Sequence, residues 1–203
     1  MLTALAEMVF PAVCPGCGRR GEPLCDVCAR TVLTAPPLPH PAGLEALHVP
    51  FAYAGVVREL VARAKYRRRH AALAWLAAAM VAELGAPPVG VDVVTWAPTT
   101  AARRRDRGFD QAEVLATAVA TELRRPRRAS LRRIGDDHQT GRSRAERIDA
   151  ASYVPRAHAP VSGRRVLLVD DVVTTGATLT AAASALRRAG AVSVVGIAAA
   201  RRL

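Results

Sequence analysis

The stretch "VLLVDDVVTTGAT", residues 166–178, opens as a run of branched apolar side chains and then sets Asp170 and Asp171 side by side where that run stops. Four consecutive apolar residues without a polar break read as a strand buried on both faces, the habit of parallel sheets covered by helices. The segment after the acids, Thr174, Thr175, Gly176, Ala177 and Thr178, is a turn with three hydroxyls and a glycine leading into a helical pattern. Backbone N–H groups at such a strand-turn-helix junction cradle a phosphate. Asp170 and Asp171 cannot face that phosphate without repulsion, so they serve hydroxyls or a metal. A ligand that meets both demands is a 5-phosphorylated ribose. The carboxylates then accept from the 2- and 3-hydroxyls, directly or through Mg2+, while 174–178 holds the 5-phosphate. The turn lacks the lysine of GxxxxGK[ST] and the glycines of GxGxxG, which sets it apart from the common nucleotide-binding loops. The competing reading is an ordinary capped turn with two surface aspartates.

Working outward, strands and helices alternate. "LEALHVPFAYAG" from residue 44 is extended, "VVRELVARAKY" carries apolar residues at helical spacing, and a second helix runs from about His70 to Leu84. "VDVVTWAP", 91–98, predicts a buried strand, "FDQAEVLATAVATEL", 109–123, a helix, "ATLTAAASALRRAG" another closed by Gly190, and "AVSVVGIAAA" the last strand. This order implies an α/β fold with a parallel, helix-flanked sheet, whose ligands sit beyond the carboxyl ends of the strands. Of the 203 residues 51% are hydrophobic, mostly Ala, Val and Leu, and aromatics reach only 4%, which suits one main domain with a small appendage. The apolar run Ala71–Ala82 is far shorter than the ~20 residues that cross a bilayer, and "MLTALAEMVFPAV" has no basic start and carries Glu7, so no transmembrane segment or secretory signal is expected. The expected location is cytoplasmic.

The appendage is "CPGCGRRGEPLCDVC", in which Cys14, Cys17, Cys25 and Cys28 form two CxxC pairs. A two-residue spacer lets both thiolates of a pair reach one ion, and two pairs complete the tetrahedral set of a structural Zn2+ site with no open position for catalysis. Two disulfides or a redox dithiol are the alternatives, disfavoured without a secretory signal. "TAPPLPHPAG" then places four prolines within 36–41, which excludes helix and central strand. The expected organisation is an N-terminal helix and zinc knuckle over 1–35, a linker over 36–44, and the main domain over 45–203.

The net charge of +12 comes almost wholly from arginine, Lys65 being the only lysine among 29 basic residues. The arginines cluster at 67–69, 103–107, 124–128 and 132–133, which favours an anionic partner. Arg103, Arg104, Arg105 and Arg107 follow the Pro98-Thr99 turn in a stretch without sustained apolar period, so a mobile loop is the natural assignment. Gln139, Arg142, Arg144 and Arg147 offer a second such surface. The five histidines share no spacing that marks a catalytic set.

With these motifs the sequence resembles the phosphoribosyltransferase superfamily, whose fingerprint for 5-phosphoribosyl-1-pyrophosphate is a hydrophobic strand, DD, two residues and TTG. The cysteine segment narrows the resemblance to the ComF family of competence-associated, phosphoribosyltransferase-like proteins. It extends over "FPAVCPGCG", "VRELVARAKY", "RDRGFDQAEVLA" and "QTGRSRAERIDAASY". The resemblance implies a type I phosphoribosyltransferase fold, a Mg2+-dependent donor site, and a part in DNA uptake or nucleotide salvage. It also implies that the loop after the strand 91–98 takes the pyrophosphate. Asp170, Asp171, Arg105 and Arg107 are then the catalytic candidates, and Val172, the 174–178 turn, Pro98, Thr99 and Arg103 the substrate-binding ones. An arginine-rich cover suits a departing pyrophosphate; a solvated loop that binds DNA backbone is the alternative. The family commonly shows asparagine where this chain has Asp110 and Asp149, an extra charge that would weaken or retune binding of a polyphosphate. Two functions compete. One is transfer of phosphoribose to an unidentified acceptor. The other is a non-catalytic module that senses a ribose phosphate or handles single-stranded DNA beside a DNA-import ATPase; scarce aromatics favour the pocket over that surface.

Overall fold

A computed structural model describes residues 13–37, 41–63, 70–85, 90–134 and 152–202. Its centre is a five-stranded sheet in which every pairing is parallel. Strand β1 (Ala46–His48) and the short β2 (Phe51–Ala52) both pair with β7 (Ser193–Arg201), β7 pairs with β6 (Arg165–Val173), and β6 with β3 (Val93–Trp96). The helices are α1 (Asp26–Ala29), α2 (Gly55–Arg63), α3 (His70–Glu83), α4 (Ala101–Arg107), α5 (Gln111–Glu122) and α6 (Ala177–Arg188). Among the described residues no helix is long and apolar enough to cross a membrane.

The unbroken apolar run of β6 is explained by its two covered faces. Leu167 and Val169 point into one core with Val94, Trp96, Ile197 and the helices α2, α3 and α5. Val166 and Leu168 point into the other, with Leu179, Ala182, Ala183 and Leu186 of α6. The alternation is the period of two that a pleated strand imposes. Small alanines on α5 and α6, among them Ala112, Ala116, Ala182 and Ala183, are fully or almost fully buried; helices faced with alanine pack close to the sheet.

Three features depart from the sequence expectations. The strand β6 does not stop at the acids: Asp170 pairs with Ala198 and the ladder runs on through Val172 and Val173, because Val173 is buried and extends the apolar face. Residues 101–107 are a helix, not a mobile loop. With exposed Arg103, Arg104 and Arg105 the helix has no apolar stripe to show; its ends hold it, through Thr100 Oγ1 accepting from the Arg103 N–H at 3.1 Å and Gly108 closing it at φ 75°. A two-stranded antiparallel pair, β4 (Leu131–Ile134) and β5 (Ser152–Pro155), stands beside the main sheet and buries Leu131 and Tyr153 against α6. Asp149, Gln139, Arg142, Arg144, Arg147, Lys65 and Arg67–Arg69 lie outside the described residues.

The proline segment is tied to the sheet. The Arg201 guanidinium donates to the carbonyls of Pro36 (3.0 Å) and Pro37 (2.8 Å), and Thr34 bridges Phe51. Leu168 is fully buried between β3, β7 and α6. Leu168→Ala should cost about 2–5 kcal/mol, read as a lower urea midpoint with an unchanged slope.

Candidate functional site

The carboxyl end of β6 gathers the first part of the site. Asp170 is only 8% exposed, and its Oδ1 accepts the Asp171 N–H at 2.9 Å; Asp171 Oδ1 accepts the Val172 N–H at 2.8 Å. Burial, and then the charge of Asp171 beside it, push the Asp170 carboxyl well above the usual carboxylate range. Two carboxyls this close, one of them desolvated, are suited to hold a cation or to accept from hydroxyls.

After Val173 the chain turns through exposed Thr174 and Thr175 to Gly176, which at φ 80° precedes α6. Thr175 Oγ1 accepts the Ala177 N–H at a long 3.4 Å, and no side-chain hydrogen bond from the N-cap residue satisfies this helix end among the described residues. The next amides of α6, Thr178 and Leu179, have no side-chain partner among the described residues and can face an anion. A Cβ at Gly176 would lie 2.8 Å from Pro41 Cγ, so the left-handed conformation and the close approach of the proline segment both require glycine here.

The second part comes from β3. Because Trp96 pairs with Val169 and the Ala97 N–H donates to the Val169 carbonyl (3.1 Å), the Pro98–Thr100 turn emerges beside the acidic pair. Asp110, the cap of α5, is buried; its Oδ2 accepts the Thr99 N–H at 2.8 Å, and its Oδ1 accepts the N–H of Ala112 (3.1 Å) and of Glu113 (3.4 Å). Burial raises its carboxyl from the usual range against the pull of those amides. Tyr153 Oη donates to the Pro98 carbonyl at 3.3 Å and accepts from Arg133 at 3.4 Å. Tyr153 is a site residue with no counterpart among the sequence expectations, and Arg133 was expected only as part of a basic cluster. The available signal was a tyrosine alternating with exposed residues in "SYVP", a pattern too short to stand out.

The arginines are sorted by α4. Arg104 reaches back to Glu113 (3.5 Å), which also holds Arg127 (3.1 Å). Helical geometry sets Arg105 about 200° around the axis from Arg103, so a single ligand does not meet both while α4 is formed. The side chain of Arg107 lies outside the described residues. The structure thus brings together Asp170, Asp171, the 174–178 turn, Pro98 and Thr99, but splits the arginine group.

The four cysteines form a separate cluster, their sulfurs all within 4.8 Å of one another and none in a disulfide. A four-thiolate zinc site, with Zn–S near 2.3 Å, has S–S edges of about 3.8 Å, so the donor set and its size fit one tetrahedral ion. A Cβ at Gly16 would sit 2.7 Å from Cys28 Sγ, which explains that glycine. The Cys14 thiol, opposed by burial but drawn down by the N–H groups of Cys25, Cys17 and Gly16, falls to about 6, while hydrogen bonding to Cys14 and burial push Cys28 up to about 12. A cation bound by these four sulfurs would replace the protons that thiols so unequal share.

Residues 110–201 match the family described as "Phosphoribosyl transferase domain". Over this stretch, somewhat less than half of the chain, the protein is similar to phosphoribosyl transferase domains. The stretch begins at the Asp110 cap and ends with β7, leaving β3, α4 and the cysteine cluster outside the match. The competence protein ComFC of Bacillus subtilis (strain 168) is 33% identical over 93 residues, which span 46% of this chain and 37% of that relative. The ComF resemblance is borne out by that relative. Among solved structures, the glutamine phosphoribosylpyrophosphate amidotransferase from B. subtilis complexed with ADP and GMP is similar at 22% identity and TM-score 0.43, over 70% of this chain and 26% of that one. A purine phosphoribosyltransferase from Pyrococcus horikoshii Ot3 is similar at 18% identity and TM-score 0.41, over 62% and 71%.

The buried acid at the carboxyl end of β6 sets a pH dependence. Asp170 has a folded-state value raised above the ~3.9 of an unfolded aspartate, so stability is intact below that value and is lost as pH rises through the folded one. Without divalent cations, the melting temperature of Asp170→Asn minus that of the wild type should therefore grow between pH 5 and pH 8. A difference that shrinks over this range would contradict the burial argument.

Proposed function

We propose that the domain binds 5-phosphoribosyl-1-pyrophosphate and transfers its phosphoribosyl group to an acceptor, releasing pyrophosphate. The observation that carries this is the buried carboxyl of Asp170 beside Asp171, followed by the Thr174–Gly176 turn into the start of α6. Asp170 and Asp171 orient the ribose 2- and 3-hydroxyls, Val172 lines the strand end, and Thr174, Thr175, Gly176, Ala177 and Thr178 hold the 5-phosphate. Pro98 and Thr99 face the diphosphate. The bond from C1 to the pyrophosphate oxygen breaks as the bond from C1 to the acceptor forms, through an oxocarbenium-like state that needs positioning rather than a nucleophile. Asp170 and Asp171 would hold Mg2+, which would supply positive charge against the leaving group. Arg105 or Arg107, and Arg103 on a different face of α4 from Arg105, supply further positive charge there; α4 must shift or unwind if more than one face is to serve the same ligand. The cysteines hold a structural Zn2+, and their reduced thiols suit a cytoplasmic location.

A second reading has the same pocket sense a ribose phosphate without transfer. The exposed arginines at 103–105, 124, 125, 128 and 132 support an added contact with single-stranded DNA in an import system.

Calorimetry with Mg2+ tests the first reading. 5-Phosphoribosyl-1-pyrophosphate should bind more tightly than ribose 5-phosphate, and Asp170→Asn with Asp171→Asn should weaken it by at least about tenfold, the loss expected for one charge-assisted contact. Donor affinity equal to that of inorganic phosphate would end this proposal. Pyrophosphate release with one member of a panel of bases and amines marks the enzyme; tight binding with no release marks the sensor.

Metal analysis of dialysed protein should return one zinc per chain. Less than half an equivalent, with four titratable thiols in folded protein, would remove the zinc assignment. Cys25→Ser should loosen the cysteine module and leave donor binding in place.

A further inference from the structure

One peptide unit in the site is held from both ends. The oxygen of the Pro98–Thr99 peptide accepts from Tyr153 Oη on β5, and its N–H donates to Asp110 Oδ2 at the start of α5. A peptide is planar, so fixing its oxygen and its nitrogen removes rotation of the unit about the chain axis. Both partner side chains are buried, Tyr153 at 4% and Asp110 at 3% exposure, while the Pro98–Thr99 turn they hold is half-buried. The Asp110 bond is short and charge-assisted; the phenol at 3.3 Å is the looser end, steadied by Arg133 donating to the same oxygen.

The chemistry of the two partners suits this task. Burial, reinforced by the charges of Asp170 and Asp110 and opposed by Arg133, pushes the Tyr153 phenol up to about 12, so it remains a donor. Asp110 uses both oxygens, Oδ2 for Thr99 and Oδ1 for the α5 amides. An amide at this position has one acceptor oxygen and one donor nitrogen. It can cap α5 as well as aspartate does, but its nitrogen then faces the Thr99 N–H and favours the turned-over peptide, with the Pro98 carbonyl towards it. The carboxylate at 110 is thus spent on backbone amides.

We propose that Tyr153 and Asp110 are a pair of positioning residues that lock the Pro98–Thr99 peptide in one orientation for the diphosphate end of the donor, an inference that rests on the function proposed above. In this orientation the Pro98 oxygen is engaged by the phenol instead of presenting free lone pairs to a polyanion. The cost of ordering the turn is met before the ligand arrives.

The test uses the full chain, with Tyr153→Phe, Asp110→Asn and the double variant. Amide hydrogen exchange at Thr99 without ligand reads the lock itself. Tyr153→Phe should speed it severalfold although the phenol does not touch that N–H; exchange at the wild-type rate overturns the proposal. Calorimetry with Mg2+ reads the role. Each single variant should weaken 5-phosphoribosyl-1-pyrophosphate about fivefold, one hydrogen bond's worth, and leave ribose 5-phosphate within about twofold. The double variant should lose no more than the worse single one, because both hold one peptide. Equal weakening of both ligands, or additive losses, overturns it. A wild type that prefers neither ligand overturns the proposed function, and this role with it, before any variant is made. Should Tyr153→Phe fail to fold, Arg133→Gln reads the same contact from its far side.

Discussion

A carboxyl group inside a parallel sheet is the constraint around which this protein is arranged. The strand β6 must be apolar on both faces to sit between two helix layers, yet at its carboxyl end it carries Asp170, desolvated and next to a second acid. The apolar portion of the ladder stabilises what the acid destabilises, and the acid is tolerable because it lies where the sheet opens. Everything that reaches the site is aimed by β6 or its neighbours. The turn and α6 continue it directly, and β3 delivers the Pro98–Thr100 turn through a register fixed by Trp96 and Val169.

Most of this framework was legible because it rests on local rules. Alternating buried runs and helical patterns gave the parallel sheet, and "DDVVTTG" located the site from composition at a strand-to-helix junction. The misses share a physical cause. The helix α4 lacks an apolar stripe and is held by its caps, so periodicity is silent on it. The β4–β5 pair has only Leu131 and Tyr153 buried, too few for an alternation to be recognised. The Tyr153–Pro98 contact joins residues 55 positions apart, and no pattern in a single sequence reports such a pair. Asp110 was legible as a charge, but its bond to the Thr99 N–H was not, since that donor comes from another loop.

The cysteine cluster is not an isolated bead. Cys14 and Cys25 share a small core with Leu24, Leu60 of α2 and Ala72 of α3, and Arg63 at the end of α2 donates to the Val13 carbonyl at 2.7 Å. Thiol chemistry at one end of the chain therefore bears on helices that cover the main sheet. Ordering of the cluster and packing of α2 are linked through Leu60, which is fully buried.

The boundaries of sequence similarity and those of hydrogen bonding disagree in this fold. The matched segment, 110–201, contains β6 and β7 but neither of their outer neighbours, since β3 and β1 lie earlier in the chain. Excised at those limits, both long strands would become edges, each with an unpaired row of N–H and C=O groups beside an uncovered apolar face, the situation that drives chains to associate edge to edge. The acidic pair and the turn into α6 are thus encoded in one stretch, while the strands that cover the edges of their sheet are encoded in another. During synthesis β3 waits for a partner about 70 residues downstream, a non-local pairing of the kind that forms more slowly than a helix.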